Sequence, residues 1–501
     1  MIFAYVLGVL LTVFFVVLGC STLWMLHTWP YLKADELIYQ LSAPLVGTGH
    51  DMLAHYAKEA ALPAAAITVL LLIFLFRKKK EGLKKRLLLC LAASFVLCMG
   101  IVLFAADRVN LTSYYLKRNA MKGFVEEHFA DPDQVAITFP EQKKNLIYIY
   151  MESMEPTYAD RNSGGAFDVN YIENLTRIAQ ENEDFSGSTH KINGAYSLSG
   201  STFTMGAIFT QSMGLPLLLP GFSVDRSRYK DWFFPHVTGI GDILEENGYE
   251  NIYLVGSDAT FGGRRAFFES HGNFRILDTL YLKEKEYIPE DYHEFWGMED
   301  EKLFAYAREE LERLTAEERE EPFNLTILTV DTHFEDGYVC RLCEDTYDER
   351  YANVIVCQDR QVSGFIQWLQ EQPFYEDTTV VVVGDHPTMD SDFCKTIDPS
   401  FDRRAFVAIL NGPETSRREA RVYTTMDLFP TTLAALGAEI EGERLGLGTN
   451  LYAGKDTLAE EFGRDGLQNS ILSDALFLMR REKAAQDLPP SGVDNQGKCH
   501  P

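Results

Sequence analysis

The chain has 501 residues, of which 46% are hydrophobic, and a formal net charge of −27. It is too long for one compact domain and apolar enough for a sizeable core, and its acidity argues against nucleic acid as a partner. A membrane part followed by one large soluble domain is the simplest interpretation.

Three apolar runs without a charged residue predict three transmembrane helices, at Ile2 to Leu26, Ala61 to Phe76 and Leu87 to Ala106. The middle run is short for a hydrocarbon core of roughly 30 Å, so we expect it to borrow flanking residues or to thin the bilayer locally. The first run has neither a basic flank nor an Ala-x-Ala cleavage site, which indicates an anchor rather than a removed signal peptide.

The loop from 77 to 86 predicts the orientation of these helices. Its only acidic residue is Glu81, against seven basic residues: Arg77, Lys78, Lys79, Lys80, Lys84, Lys85 and Arg86. By the positive-inside rule this hairpin is cytoplasmic, so residues 27–60 and everything after Ala106 lie outside. We therefore expect a multi-pass protein of the cytoplasmic membrane with an extracytoplasmic domain.

The acidity is then concentrated on the outer part of the chain. An acidic surface repels an anionic lipid, so phosphate chemistry there needs a local cation such as a bound metal. Plain solubility is the alternative explanation of the charge.

Five cysteines follow the membrane runs: Cys340, Cys343, Cys357, Cys394 and Cys499. An outer compartment permits disulfides, and we expect one bridge within the close set Cys340, Cys343 and Cys357. A zinc site is less favoured because no further Cys or His pair completes the set. The pairing stays open.

Four segments follow from these patterns. They are a membrane domain of three helices at 1–106, a juxtamembrane linker at 107–143, an extracytoplasmic catalytic domain at 144–485 and a disordered tail at 486–501. Within the catalytic segment, short apolar runs alternate with longer helical stretches, which predicts an α/β fold with a central, mostly parallel sheet flanked by helices.

Four of the apolar runs end in polar residues. The endings are at Glu152, near Asp258, at Asp331 with His333, and at Asp385 with His386. Because ligands bind outside the carboxyl ends of parallel strands, these endings are expected to converge on one site. For any single run, a charged residue leaving a buried strand for solvent is an equally good explanation.

Two carboxylates and one imidazole, from Glu152, Asp385 and His386, suit Mn²⁺ or Mg²⁺ and leave room for a hydroxyl nucleophile. The segment 193–209 is dense in small and hydroxyl residues, and it places Thr202 or Thr204 at a predicted helix start, where backbone N–H groups favour a phosphate. A metal would activate such a hydroxyl. An ordinary N-cap is the alternative.

Taken in order, several motifs over residues 144–450 resemble the lipoteichoic acid synthases and the membrane phosphoglycerol transferases that modify periplasmic glucans, which are sulfatase-like members of the alkaline phosphatase superfamily. The three predicted membrane segments look more like the glucan-modifying branch. The motifs are Tyr150-Met-Glu-Ser-Met-Glu155, Gly200-Ser-Thr-Phe-Thr204, Gln211-Ser-Met-Gly-Leu-Pro-Leu217, Gly248-Tyr, Phe261-Gly-Gly-Arg264, Asp331-Thr-His333, Cys357-Gln-Asp359 and Gly384-Asp-His386.

The resemblance implies roles for individual residues. Glu152, Asp385 and His386 match the family's metal ligands, and Thr204 matches its metal-bound nucleophile, with Thr202 as second choice. The remaining matches concern the substrate: His333 beside its phosphate, Arg264 or Arg265 on the lipid headgroup, and Asp258 as a weaker match.

The implied activity is that of a metal-dependent phosphotransferase, with one divalent ion, Mn²⁺ or otherwise Mg²⁺. It would move glycerophosphate from phosphatidylglycerol to an envelope glycan or polyglycerolphosphate acceptor through a phospho-threonine. The alternatives on the same fold are a phosphoethanolamine transferase and a sulfatase or phosphodiesterase, although the Cys/Ser-x-Pro-x-Arg signature of sulfatases is absent. A non-catalytic envelope binding protein is the alternative from another class.

Overall fold

The computed structural model describes residues 2–77, 82–120, 123–219, 221, 233–316, 321–415 and 417–487. Lys78, Lys79, Lys80 and Glu81 of the predicted cytoplasmic loop, and the predicted tail from residue 488 on, lie outside the described residues. The chain forms two compact units. One consists of Met1–Leu37 and Thr48–Leu116, and the other of Ile38–Gly47 together with the chain from Lys117 onward.

The first unit contains three helices that are long and apolar enough to cross a membrane: Phe3–Thr28, Met52–Phe76 and Leu83–Arg108. The second begins before the predicted run because the chain stays helical through a π-helical turn at Ala57–Ala61, so it borrows flanking residues as expected. Large apolar side chains on these helices, such as Phe3, Leu70 and Leu97, are exposed, as lipid-facing residues are.

The α-helices, in chain order, are α1 (Ile2–Thr28), α2 (Ala34–Ser42), α3 (His50–Tyr56), α4 (Leu62–Phe76), α5 (Leu83–Arg108), α6 (Leu111–Lys117), α7 (Phe124–His128), α8 (Glu173–Glu181), α9 (Thr204–Met213), α10 (Ile240–Glu246), α11 (Arg264–Ser270), α12 (Thr279–Glu284), α13 (Asp300–Thr315), α14 (Arg350–Gln370), α15 (Ser391–Cys394), α16 (Leu428–Ala435), α17 (Leu458–Phe462), α18 (Arg464–Ser473) and α19 (Phe477–Asp487). The strands are β1 (Ile137–Thr138), β2 (Asn145–Met151), β3 (Gly194–Ala195), β4 (Glu250–Val255), β5 (Arg275–Leu277), β6 (Phe323–Leu328), β7 (Thr378–Gly384), β8 (Ala405–Leu410), β9 (Glu439–Ile440), β10 (Arg444–Leu445) and β11 (Gly448–Thr449).

A seven-stranded sheet in the order β3-β8-β7-β2-β6-β4-β5 organises the second unit. Strands β7, β2, β6, β4 and β5 run parallel, whereas β8 is antiparallel to β7, and β3 to β8. The central strands are buried on both faces, as expected for a parallel sheet covered by helices, and they form the core with α13 and α14. The predicted mostly parallel α/β fold is confirmed.

Much of the predicted linker packs into this same unit. Strand β1 pairs with β9, and the backbone N–H groups of Gly123 and Val125 donate to the buried Asp474 carboxylate. The described residues of 117–143 therefore belong to the same unit as the seven-stranded sheet.

Candidate active site

Two neighbouring strands deliver the metal-type side chains. Met151 at the end of β2 pairs with Gly384 at the end of β7, so the next residues along the two strands, Glu152 and Asp385, leave the sheet side by side. Gly384 is required here because a Cβ on it would lie 1.9 Å from the Met154 carbonyl oxygen. The Asp385 backbone N–H then donates to the Met151 carbonyl.

Glu152, Asp385 and His386, which we call the donor group, place their ligand atoms within 4.8 Å of one another, and all three residues are buried. His386 Nε2 lies 3.5 Å from Asp385 Oδ2 and 3.8 Å from Glu152 Oε1. Asp385 Oδ2 is buried without a hydrogen-bond partner. His386 Nδ1 lies 2.9 Å from the Pro387 carbonyl, which can only accept, so Nδ1 carries a proton and Nε2 is the ring nitrogen that faces the carboxylates.

The electrostatics of the donor group favour a cation. Burial, with the charge of Glu152 added, raises the pKa of Asp385 to about 7. Burial also acts to raise the pKa of Glu152, but the nearby His333 and His386 together with hydrogen bonds from Ser153 and Asp385 lower it overall. Two adjacent buried carboxylates are a poor arrangement in a bare protein, and together with an imidazole nitrogen they are a good ligand set for a hard divalent ion.

Thr204 is the first residue of helix α9 and lies beside the donor group. Phe203 before it is extended, and the helix ends at Gly214 in the left-handed conformation. The Thr204 hydroxyl donates to Glu152 Oε2 at 3.2 Å. The predicted nucleophile therefore combines contact with a candidate metal ligand and a helix N-terminus, whose free N–H groups attract a phosphate.

His333 follows β6 and is surrounded by aromatic side chains. Its ring centroid is 4.7 Å from that of Trp296, and Nδ1 lies 2.6 Å from the Phe334 carbonyl. Burial lowers the pKa of His333, although the charge of Glu152 opposes this effect. Asp331, two residues earlier, is not part of the donor group: its backbone N–H donates to Asp300, and burial together with the Asp300 charge raises its pKa.

The two adjacent arginines have different partners. Arg264 is buried and donates to Ser257 Oγ and to the Phe261 and Asp258 carbonyls, and its charge acts on His333. Arg265 instead forms an ion pair with the buried Asp278 at 2.5 Å. Of the two arginines, only Arg264 is thus close enough to His333 for its charge to affect the pKa of that residue.

The Asp258 side chain is used within its own loop, where it accepts the Thr260 backbone N–H at 2.8 Å. Glu155, three residues after Glu152, lies outside the donor group. It accepts two hydrogen bonds from Arg403 and one from the Thr388 backbone N–H.

Sequence reasoning missed the contribution of residues 38–47, which it treated only as part of an outer loop. Tyr39 is fully buried, its hydroxyl donates to the Gly262 carbonyl at 2.5 Å, and its ring centroid is 4.8 Å from that of Phe203. Gly47, with φ +86°, packs so tightly that a Cβ would lie 3.1 Å from the Cβ of Asp258. This segment therefore contacts both the residue before Thr204 and the loop before Arg264.

A family profile described as Sulfatase matches residues 144–438. Among curated proteins, the chain is similar to phosphoglycerol transferase I of Salmonella choleraesuis, with 32% identity over 348 residues, which is 66% of this chain and 43% of that relative. The chain thus spans less than half the length of the curated relatives it matches.

Two solved structures have a similar fold. One is the lipoteichoic acid synthase LtaP from Listeria monocytogenes, with a TM-score of 0.52 and 17% identity, covering 73% of this chain and 98% of that one. The other is the integral membrane lipooligosaccharide phosphoethanolamine transferase A from Neisseria meningitidis, with a TM-score of 0.50 and 15% identity, covering 86% and 84%.

Proposed function

Because the chain belongs to the sulfatase family, we propose that it is a membrane-anchored phosphoglycerol transferase. The donor is phosphatidylglycerol, and the acceptor is an envelope glycan or a polyglycerolphosphate chain. The observation that carries this proposal is the hydrogen bond of the Thr204 hydroxyl to Glu152 within the donor group. The named function of the Salmonella relative supports the choice of the phosphoglycerol group.

Glu152, Asp385, His386 and the Thr204 hydroxyl would hold one divalent ion, Mn²⁺ or else Mg²⁺. The orphaned Asp385 Oδ2 and the His386 Nε2 that faces the carboxylates fit this assignment. When bound, the ion supplies positive charge that lowers the pKa of a hydroxyl and offsets charge on phosphate oxygens.

In the first step, Thr204 Oγ1 attacks the phosphorus of the lipid. The bond from phosphorus to the diacylglycerol oxygen breaks, diacylglycerol leaves with the proton, and glycerophosphate stays on Thr204 as a phosphodiester. Arg264 and the N–H groups at the start of α9 orient the phosphate oxygens.

In the second step, an acceptor hydroxyl attacks the same phosphorus and the bond to Thr204 breaks. His333 accepts the proton of that hydroxyl, a role that its lowered pKa suits because a neutral imidazole is a base. Thr204 recovers its proton, so the transfer consumes one lipid and one acceptor hydroxyl.

Anchoring in the membrane keeps the site close to its lipid donor. The proposed location is the cytoplasmic membrane with the catalytic unit outside, as the basic loop predicts. A reporter fused after Ala106 should be extracytoplasmic and one fused within 78–85 should be cytoplasmic. The inverse result would remove the argument for an extracytoplasmic enzyme.

The decisive experiment incubates the purified full chain with headgroup-labelled phosphatidylglycerol, a divalent ion and candidate acceptors. Release of diacylglycerol with label on the acceptor is expected, and with donor alone the peptide containing Thr204 should gain the mass of glycerophosphate. Parallel reactions with phosphatidylethanolamine and with a sulfate ester test the two alternative enzymes. Absence of turnover with every donor would favour a binding protein.

A further inference from the structure

Three cysteines form a second cluster, away from the donor group. Cys340 and Cys343 lie on a turn closed by a hydrogen bond from the Cys343 N–H to the Cys340 carbonyl at 3.1 Å, and Cys357 lies on helix α14. Cys340 and Cys357 are buried, and Cys343 is partly exposed. The cluster therefore brings the loop that follows His333 into contact with helix α14.

The sulfur separations are too long for the disulfide expected from the sequence. Cys340 Sγ lies 3.7 Å from Cys343 Sγ and 3.6 Å from Cys357 Sγ, whereas a bond requires about 2.05 Å. All three cysteines are free thiols, so this expectation is wrong for the structure. A tetrahedron of thiolates around zinc, with Zn–S bonds of about 2.3 Å, has an edge of about 3.8 Å. The observed separations are close to that edge.

Hydrogen-bond donors and one cation lie close to the sulfur atoms. The Gln361 side-chain amide nitrogen lies 3.5 Å from Cys357 Sγ and 3.9 Å from Cys340 Sγ. Arg360 donates to the Leu342 carbonyl and places its charge near Cys357. Metal-bound thiolates commonly have such N–H donors and a nearby cation.

We infer that Cys340, Cys343 and Cys357 bind a thiophilic divalent ion of the zinc type, with water as the fourth ligand. Within the described part of the chain, no fourth Cys, His, Asp or Glu joins the group, and the partly exposed Cys343 leaves one side accessible. Binding releases three thiol protons to solvent as three S–metal bonds form. The ion would fasten residues 334–349 to α14, independently of the proposed transferase activity.

The first test measures metal in the full chain purified with a mild reductant and without chelator, then loaded with Co²⁺. Thiolate ligands give an intense sulfur-to-cobalt charge-transfer absorption in the near ultraviolet, whereas the oxygen and nitrogen ligands of the donor group do not. We expect this absorption in the wild type and in the control Cys394→Ala. It should be lost or severely reduced in Cys340→Ala, Cys343→Ala and Cys357→Ala.

The second test uses only wild-type protein, so it does not depend on whether the variants fold. A thiol-specific reagent added to zinc-loaded protein should release one equivalent of zinc as the three cysteines are modified. Absence of the cobalt absorption from folded wild type, or zinc release without cysteine modification, would refute the site. Peptide mapping of protein isolated without reductant that finds one of these cysteines disulfide-bonded to another would also overturn it.

Discussion

The donor group and residues 258–265, a loop that runs into the start of α11, differ in how their charges are compensated. In the donor group, sheet topology forces two buried carboxylates together and leaves Asp385 Oδ2 without a partner. In the second region, Arg265 forms an ion pair with Asp278, and Arg264 donates hydrogen bonds to a hydroxyl and two carbonyls. The donor group is therefore a candidate site for a cation, whereas the charge of Arg265 is already compensated by an ion pair within the fold. Substitutions in the donor group should accordingly affect catalysis and metal binding, whereas in the second region Arg265→Ala should affect stability and Arg264→Ala the binding of the lipid.

The largest expected effect in the donor region is that of Thr204→Ala. Loss of the nucleophilic hydroxyl should lower kcat by about three orders of magnitude or more, because no covalent intermediate can form. The melting temperature should hardly change, since only a hydroxyl and a methyl group are lost. Thr202→Ala is the matched control and should retain most activity. If Thr204→Ala turns over normally, or the glycerophosphate is found on Thr202, the assignment of the nucleophile is wrong.

The next effect is the pH dependence of the metal-free protein. The pKa of Asp385 rises on folding from an ordinary 3.8 to about 7, so the folded state binds the proton more tightly. With chelator present, the free energy of unfolding should fall as pH rises from about 4 to 7, by at most about 1.4 kcal/mol per unit. Asp385→Asn should flatten this slope, as thermal unfolding across pH would show.

Adding a divalent metal to the same thermal unfolding experiment tests the donor group more directly. At pH 8, Mn²⁺ should stabilise the wild type and have a much smaller effect on Asp385→Asn, because the variant lacks one carboxylate ligand. An equal pH slope in both proteins would mean that the carboxylate charges are compensated within the fold. The contrast between the donor group and the ion-paired Arg265 would then disappear.

Substitutions of the two arginines should have different effects, one on substrate binding and the other on stability. Arg264→Ala should raise KM for the lipid about 10-fold to 100-fold, since a hydrogen bond to a charged group contributes about 1.5–3 kcal/mol. Arg265→Ala should mainly reduce the free energy of unfolding, by about 2 kcal/mol, because Asp278 loses its ion-pair partner. Donor-dependence kinetics and thermal unfolding of both variants separate these outcomes. A KM effect confined to Arg265→Ala would reverse the assignment.

The same contrast explains what sequence could predict. The ends of the strands can be predicted from the sequence, because a buried apolar run fixes where the chain leaves the sheet. The convergence of Glu152, Asp385 and His386 followed from this rule. The choice between Arg264 and Arg265 was not readable, since it depends on Asp278, which lies 13 residues further along the chain. The cysteine separations also depend on tertiary packing, as Cys357 arrives on a helix distant in sequence from the Cys340 turn.

The role of residues 38–47 could not be predicted for a different reason. They lie between two membrane runs, and no sequence pattern in them indicates which part of the fold they contact. Tyr39→Phe tests their contribution with the smallest change. It removes only the buried hydrogen bond to the Gly262 carbonyl, so the free energy of unfolding should fall by about 1 kcal/mol, with activity nearly preserved. Tyr31→Phe, at an exposed tyrosine, is the control and should match wild type. If Tyr39→Phe also matches wild type, the hydroxyl adds nothing to stability, and the packing of the Tyr39 ring against Phe203 would then be what holds the segment beside the site.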